Sequence, residues 1–207
     1  MGIVKPQQAP APGDEGRRRT RDVAGLLAGL GDPDPAVRRW AARDLGSEPQ
    51  GAAALVELLF KESDSSVREA VLLALTQIGD ATAVAGLTAC LRSDDVALRN
   101  EAIESLKLMP DAVAPVMHEL LTDSDADVRI FAVNVLESLR HPDVEQWLCG
   151  VLERDEHVNV CATAVDLLGE VGSAQAVAAL QQLKQRFDGE PYIAFAADLA
   201  LKRIEES

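Results

Sequence analysis

Apolar residues stand four apart at Val67, Val71 and Leu75, a spacing that keeps them on one face of an α-helix. The same spacing returns at Val37, Ala41 and Leu45, at Leu98, Ala102 and Leu106, and at Val128, Ala132 and Leu136. It continues with a lapse at Val158, Ala162 and Asp166, and closes at Ile193, Ala197 and Leu201. The first members are separated by 30, 31, 30, 30 and 35 residues. A second set precedes each of the first five at i, i+3, i+7, again one helical face: Val23–Leu26–Leu30, Ala53–Val56–Phe60, Val84–Leu87–Leu91, Ala114–Met117–Leu121 and Val144–Trp147–Val151. Each unit therefore reads as two amphipathic helices, A then B, joined by a polar turn such as "GDPDP", "KESDS" or "TDSDA".

Polar columns share the period. An acid lies three residues before each B-helix reference position: Asp34, Asp64, Asp95, Asp125, Asp155 and Glu190. That is the place of an N-cap, where a carboxylate accepts the free N–H groups of the first turn. One residue after the reference come Arg38, Arg68, Arg99 and Arg129, then Asn159 and Ala194. These Asp and Arg columns read as a structural ladder, each Arg bonding capping Asp residues or carbonyls of a neighbouring turn. A lone hairpin of about 30 residues cannot bury its apolar face, whereas stacked neighbours can. The prediction is an all-α chain, a right-handed α-solenoid of about six hairpins, spanning 20–207 as one domain behind a disordered tail, 1–19.

The pattern D-x-x-V-R-x-x-A…L with "IGD" between units resembles HEAT repeats, in particular the short bacterial type related to phycobilin-lyase repeats. "VREAVLLALTQIGDATAVAGLTACLRSDD" carries the likeness best, and it extends over residues 22–204. The resemblance implies the fold. On function it spans scaffolds, adaptors, chromophore-lyase subunits and a metal-dependent hydroxylase. The fifth unit departs from it by losing its Arg and its Leu. The sixth lacks the Arg and carries an insertion, "QRFDGEP", which reads as a degenerate C-terminal cap.

Charge narrows the partners. Hydrophobic residues make up 47% of the chain and aromatics only 3%, a mixture of Ala, Leu and Val suited to close helix packing. The net charge is −14, but residues 1–21 hold five basic and two acidic residues, so the remainder carries −17. Such a body repels phosphate backbones, which argues against nucleic acid as a partner. "GRRRTR" is the one basic cluster and reads as part of a flexible leader. No apolar run has the length of a signal peptide or of a membrane span, and the three cysteines form no dense framework. These features predict a cytoplasmic protein with no membrane partner, a monomer or weak homodimer.

Chemistry is sparse. His118-Glu119 is a single His-Glu pair, where the di-iron hydroxylases that share the repeat need several. Cys149, His157 and Cys161 fall in one unit, with His157 and Cys161 four apart, but no CxxC accompanies them and they read as packing and surface residues. There is no GxGxxG, Walker loop or GxSxG. The expectation is a non-enzymatic chain with no cofactor, metal or catalytic residues.

What remains is the outward face of the B helices, at two, six and nine residues past each reference. The candidate partner-binding residues are Arg39, Arg43, Glu69, Leu73, Asn100 and Glu104 in the first three units, and Ile130, Asn134, Val160, Ala164, Leu167 and Phe195 in the last three. In related solenoids B helices line the concave surface. The expected function is a protein-protein interaction scaffold or adaptor whose concave surface turns apolar toward the C-terminal end. The alternative is an accessory subunit of a cofactor-attachment or maturation enzyme.

Overall fold

The computed structural model describes residues 22–206, so the expectations placed on the N-terminal tail and its Arg cluster lie outside the described residues. Among the described residues there are twelve α-helices and no strands, the α-solenoid class that the periodicity predicts. The chain divides into two compact units, Met1–Gly86 and Leu87–Ser207, with the division inside one helix. Among the described residues no helix is long and apolar enough to cross a membrane.

The first unit holds two helical hairpins. α1 (Val23–Gly29) leads into α2 (Pro35–Leu45), and a 3₁₀ turn at Pro49–Gly51 leads into α3 (Ala52–Leu59) and α4 (Ser65–Ile78). α2 packs on α4, and each packs on the A helix of its own hairpin. Leu45, Leu55, Leu59, Val67, Val71 and Leu75 make the core, each 0 or 1% exposed. Gly79 ends α4 in the left-handed region, φ 59°, and its N–H donates to the Leu75 carbonyl at 2.9 Å. This closure explains the "IGD" signature, since a side chain there would be strained. Past it begins α5 (Ala81–Cys90). Gly86 lets α5 come close to α3: a Cβ there would sit 2.3 Å from Cγ2 of Val56.

The second unit continues from within α5 through α6 (Val96–Lys107), α7 (Pro110–Leu121), α8 (Ala126–Leu136), α9 (Val144–Arg154), α10 (Val158–Val171), α11 (Val177–Arg186) and α12 (Pro191–Glu206). A helices pack on A helices (α7 on α9, α9 on α11) and B helices on B helices (α6 on α8, α8 on α10, α10 on α12). Leu98, Ala102, Leu106, Val128, Ala132 and Leu136 occupy the core positions that the spacing predicts.

Two expectations are corrected. In α3 the core residues are Ala52, Leu55, Leu58 and Leu59, whereas Ala53 is exposed and Phe60 is 51% exposed. In the fifth unit Val160, Ala164 and Leu168 are fully buried, while Val158 is half-buried and Asp166 exposed. The helix begins two residues later than the spacing implied, with His157 and not Asp155 at the cap position. The apparent loss of Leu at Asp166 is therefore a shift of register, and the core column is intact.

Candidate partner-binding surface

The polar columns organise the turns from which the B helices spring. Asp34, Asp64, Asp95 and Asp125 cap α2, α4, α6 and α8: their carboxylates accept N–H groups of Ala36 (2.9 Å), Ser66 and Val67 (2.9 and 3.1 Å), Ala97 and Leu98 (2.9 and 3.3 Å), and Asp127 (2.9 Å). Arg38 donates to the carbonyls of Asp32 and Pro33, and Arg129 to that of Asp123. Arg99 donates likewise to the carbonyl of Ser93 and lies over the Phe131 ring, 5.3 Å from its centroid. Arg68 is half-buried at the matching position.

The ladder continues through a column that the sequence reading missed. Two residues before each cap stand Asp32, Glu62, Ser93, Asp123 and Asp155, and each side chain accepts the N–H of its cap residue at 2.8–3.1 Å. Two of these acids also receive the preceding Arg as a bidentate pair. Arg38 meets Glu62 at 2.7 and 2.8 Å, and Arg129 meets Asp155 at 2.6 and 3.1 Å. Glu62 and Asp155 keep 3% and 6% of their side-chain surface, so both pairs are largely desolvated on the acid side. A polar residue five before the reference, in four units running, was the available signal.

In the fifth unit Cys161 takes the Arg position. Its Sγ lies 3.2 Å from the Asp155 carbonyl, and Arg186 of α11 supplies the missing guanidinium, donating to the Glu153 and Asp155 carbonyls at 2.6 Å each. Burial raises the Cys161 thiol to about 11, so it is a packed donor and not a nucleophile at neutral pH. His157 is exposed at the helix cap, so it does not share a helical face with the buried Cys161. Cys149 is half-buried on α9, with its thiol also held up by burial and then by Glu145 and Glu153. No group of three or more metal-ligating side chains occurs among the described residues.

Glu62 gives a pH prediction. The hydrogen bonds from Arg38 outweigh its burial, and together with the Asp64 N–H they hold its carboxyl below the usual carboxylate range. A group whose folded-state pKa is depressed contributes stability above its unfolded pKa, about 4.3, and loses it as pH falls through the folded value. Glu62→Gln should therefore lower the urea midpoint at pH 7, and the gap to wild type should shrink steadily below about pH 4.3. A gap that stays constant down to pH 3 would contradict the pairing.

The outward face divides by unit. In the first, Arg39 and Arg43 flank Trp40, 5.6 and 5.5 Å from its ring, and Glu69 and Leu73 are exposed, Leu73 at 60%. Arg43 and Leu73 line a cleft of about 530 Å³ with Leu26 and Gln77. In the second unit Asn100 and Glu104 are exposed, and Ile130 and Asn134 are half-buried. Val160, Ala164 and Leu167 are 0, 0 and 6% exposed and are withdrawn from the surface. The two-residue shift puts Ala162, Asp166 and Gly169 in their places. Phe195 stays on the surface at 68%, joined on α12 by Tyr192 at 55% and Leu199 at 40%. The Tyr192 hydroxyl donates to Asp166 at 3.0 Å, so this aromatic stripe adjoins the acidic outer face of α10. Lys107 bridges Glu104 and Glu137 at 2.9 and 2.8 Å.

A second feature of this unit is a groove of about 700 Å³ along the A helices, lined by His118, Trp147, Gly150, Arg154, Asp143 and Gln146 among others. His141 stacks on Trp147 at 4.8 Å, and a Cβ at Gly150 would meet Nη2 of Arg154 at 2.4 Å, so the guanidinium occupies the space a side chain there would take.

Against known proteins, the profile of HEAT repeats matches residues 23–107 and 113–202. The chain is 33% identical over 153 residues to the bilin biosynthesis protein PecE of Mastigocladus laminosus, covering 72% of this chain and 56% of that protein. It is 34% identical over 161 residues to the HEAT repeat-containing taxis protein OE_2401F of Halobacterium salinarum, covering 75% of this chain and 36% of that one. The chain thus spans about half or less of these relatives. Among solved structures, the archaeal HEAT-like repeats protein from Thermococcus onnurineus NA1 aligns over 96% of this chain and 99% of its own, at TM-score 0.47 and 16% identity.

Proposed function

Because the chain belongs to the HEAT-repeat family, we propose that it acts as a non-enzymatic interaction scaffold, holding a protein partner on the outer face of its B helices. The observation that carries this reading is the stripe of Tyr192, Phe195 and Leu199, three large side chains 40–68% exposed along one face of α12. A contiguous stripe of exposed apolar side chains is the mark of an interface, whereas large side chains exposed elsewhere, such as Phe60, Leu73 and Leu108, do not line up in this way along one helix. The relatives add support. One is named for bilin biosynthesis and the other for taxis, and similarity to proteins of two such unlike processes favours a function set by the surface over one reaction tied to the fold. The polar columns point the same way, since their charges are spent on caps and on Arg pairs within the fold.

Affinity capture tests the proposal. The wild-type chain should retain proteins from its native cell that a Phe195→Asp/Leu199→Asp variant loses at least tenfold, with helicity and melting unchanged. An identical captured set from both would overturn it.

A second reading, an accessory subunit of a cofactor-attachment enzyme, is favoured by the relative named for bilin biosynthesis and by the Trp147 groove. Under it, adding a linear tetrapyrrole shifts the pigment's absorbance, and Trp147→Ala reduces the shift. An unshifted spectrum removes that reading.

A further inference from the structure

We propose that the partner held by the second unit is a basic amphipathic segment: its apolar side chains rest on Phe195 and Leu199, and a Lys or Arg side chain enters a carboxylate-rimmed cleft between α8 and α10. This rests on the scaffold reading and names the chemistry of its partner.

The cleft has a volume of about 160 Å³. Its floor is apolar, Val133 and Leu167, 0 and 6% exposed, and its rim carries Glu137, Asp166 and Glu170. A long cationic side chain suits such a shape, laying its methylenes on the apolar floor while its head reaches the carboxylates. Glu137 already holds Lys107 at 2.8 Å, and Asp166 accepts the Tyr192 hydroxyl. The Tyr192 bond joins the cleft's rim to the apolar stripe, so that one segment can satisfy both. Around them the chain beyond residue 21 carries −17, which draws cationic segments toward the face and speeds encounter. The same charge repels an anionic lipid surface or a phosphate backbone.

Fluorescence anisotropy with a labelled 14-residue peptide, Leu at helical i, i+3, i+4, i+7 spacing and Lys elsewhere, tests it. Two control peptides replace every Lys by Glu or every Leu by Gln. The Leu-Lys peptide should bind, weaken at least tenfold with Phe195→Asp and again with Asp166→Asn/Glu170→Gln, and weaken with added salt. Both controls should bind at least tenfold more weakly than the parent peptide. Equal binding of the Glu control, equal binding of the Gln control, or indifference to Phe195→Asp would each overturn the proposal. So would a dimer of the full chain, seen by sedimentation and abolished by Phe195→Asp, if the peptide fails to bind. In that case, or if capture from the cell depends on Phe195 while the peptide does not, the basic-segment proposal falls and the scaffold reading stands. Capture that ignores Phe195 removes the scaffold reading itself.

Discussion

Replacing Asp155 by Ala should cost about 3 kcal/mol and lower the melting temperature by roughly 10 °C. The carboxylate receives both arms of Arg129 and the N–H of His157, with 6% of its side chain exposed. Removing it leaves a guanidinium mostly out of water without its counter-ion, and the His157 N–H before α10 without its acceptor. Losing one partner of a buried pair typically costs about 3–5 kcal/mol. The lower end applies because Arg129 keeps 16% of its side-chain surface and its bond to the Asp123 carbonyl. Asp155→Asn should fall between, since an amide oxygen still accepts the His157 N–H. The double change Arg129→Met/Asp155→Leu should recover most of the loss, as apolar pairs of similar volume often match buried ion pairs. By contrast Asp125→Ala removes only a cap on an exposed residue, worth about 1 kcal/mol. Urea unfolding followed by helical circular dichroism ranks the four, and an Asp155→Ala loss no larger than that of Asp125→Ala would refute the ladder.

Most of the fold was legible because two independent signals agreed in four of the units. At Val37, Val67, Leu98 and Val128 the apolar spacing and the capping Asp with its Arg fix the same register. Where one signal vanished, the other misled. In "HVNVCATAVDLL" the sets 158/162 and 160/164 are both apolar, and the Arg that would choose between them is replaced by Cys161. Its substitute, Arg186, arrives from a helix 25 residues further on, and no local pattern shows it. The α3 error has another source. "AAALVELL" has only Glu57 as a polar member, so almost nothing in the pattern phases its faces. The candidate surface inherited the register. Phe195 does lie on the surface, while Val160, Ala164 and Leu167 came with the wrong phase and are buried. Tyr192 and the acidic rim of the α8–α10 cleft required the packing of α10 on α12 to appear.

The register itself is open to a sharper test, because the two phases predict opposite outcomes at neighbouring residues. Val160→Asp should unfold the second unit or cost more than about 4 kcal/mol, since it exchanges a fully buried isopropyl group for a carboxylate with no partner in the core. Val158→Asp lies two residues earlier, half-buried in the first turn of α10, where a negative charge meets the helix's positive end. It should change stability by no more than about 1 kcal/mol in either direction. Ala162→Asp, on the outer face, should do equally little. If the core ran through Val158 and Ala162, that order would invert: those two substitutions would collapse the helix packing and Val160→Asp would be a harmless surface charge. Three melting curves decide it. The answer bears on function as well, because the same phase that hides Val160 turns Asp166 outward beside Tyr192 and Phe195, and a reversed order would dissolve the acidic and apolar face on which a partner is proposed to sit.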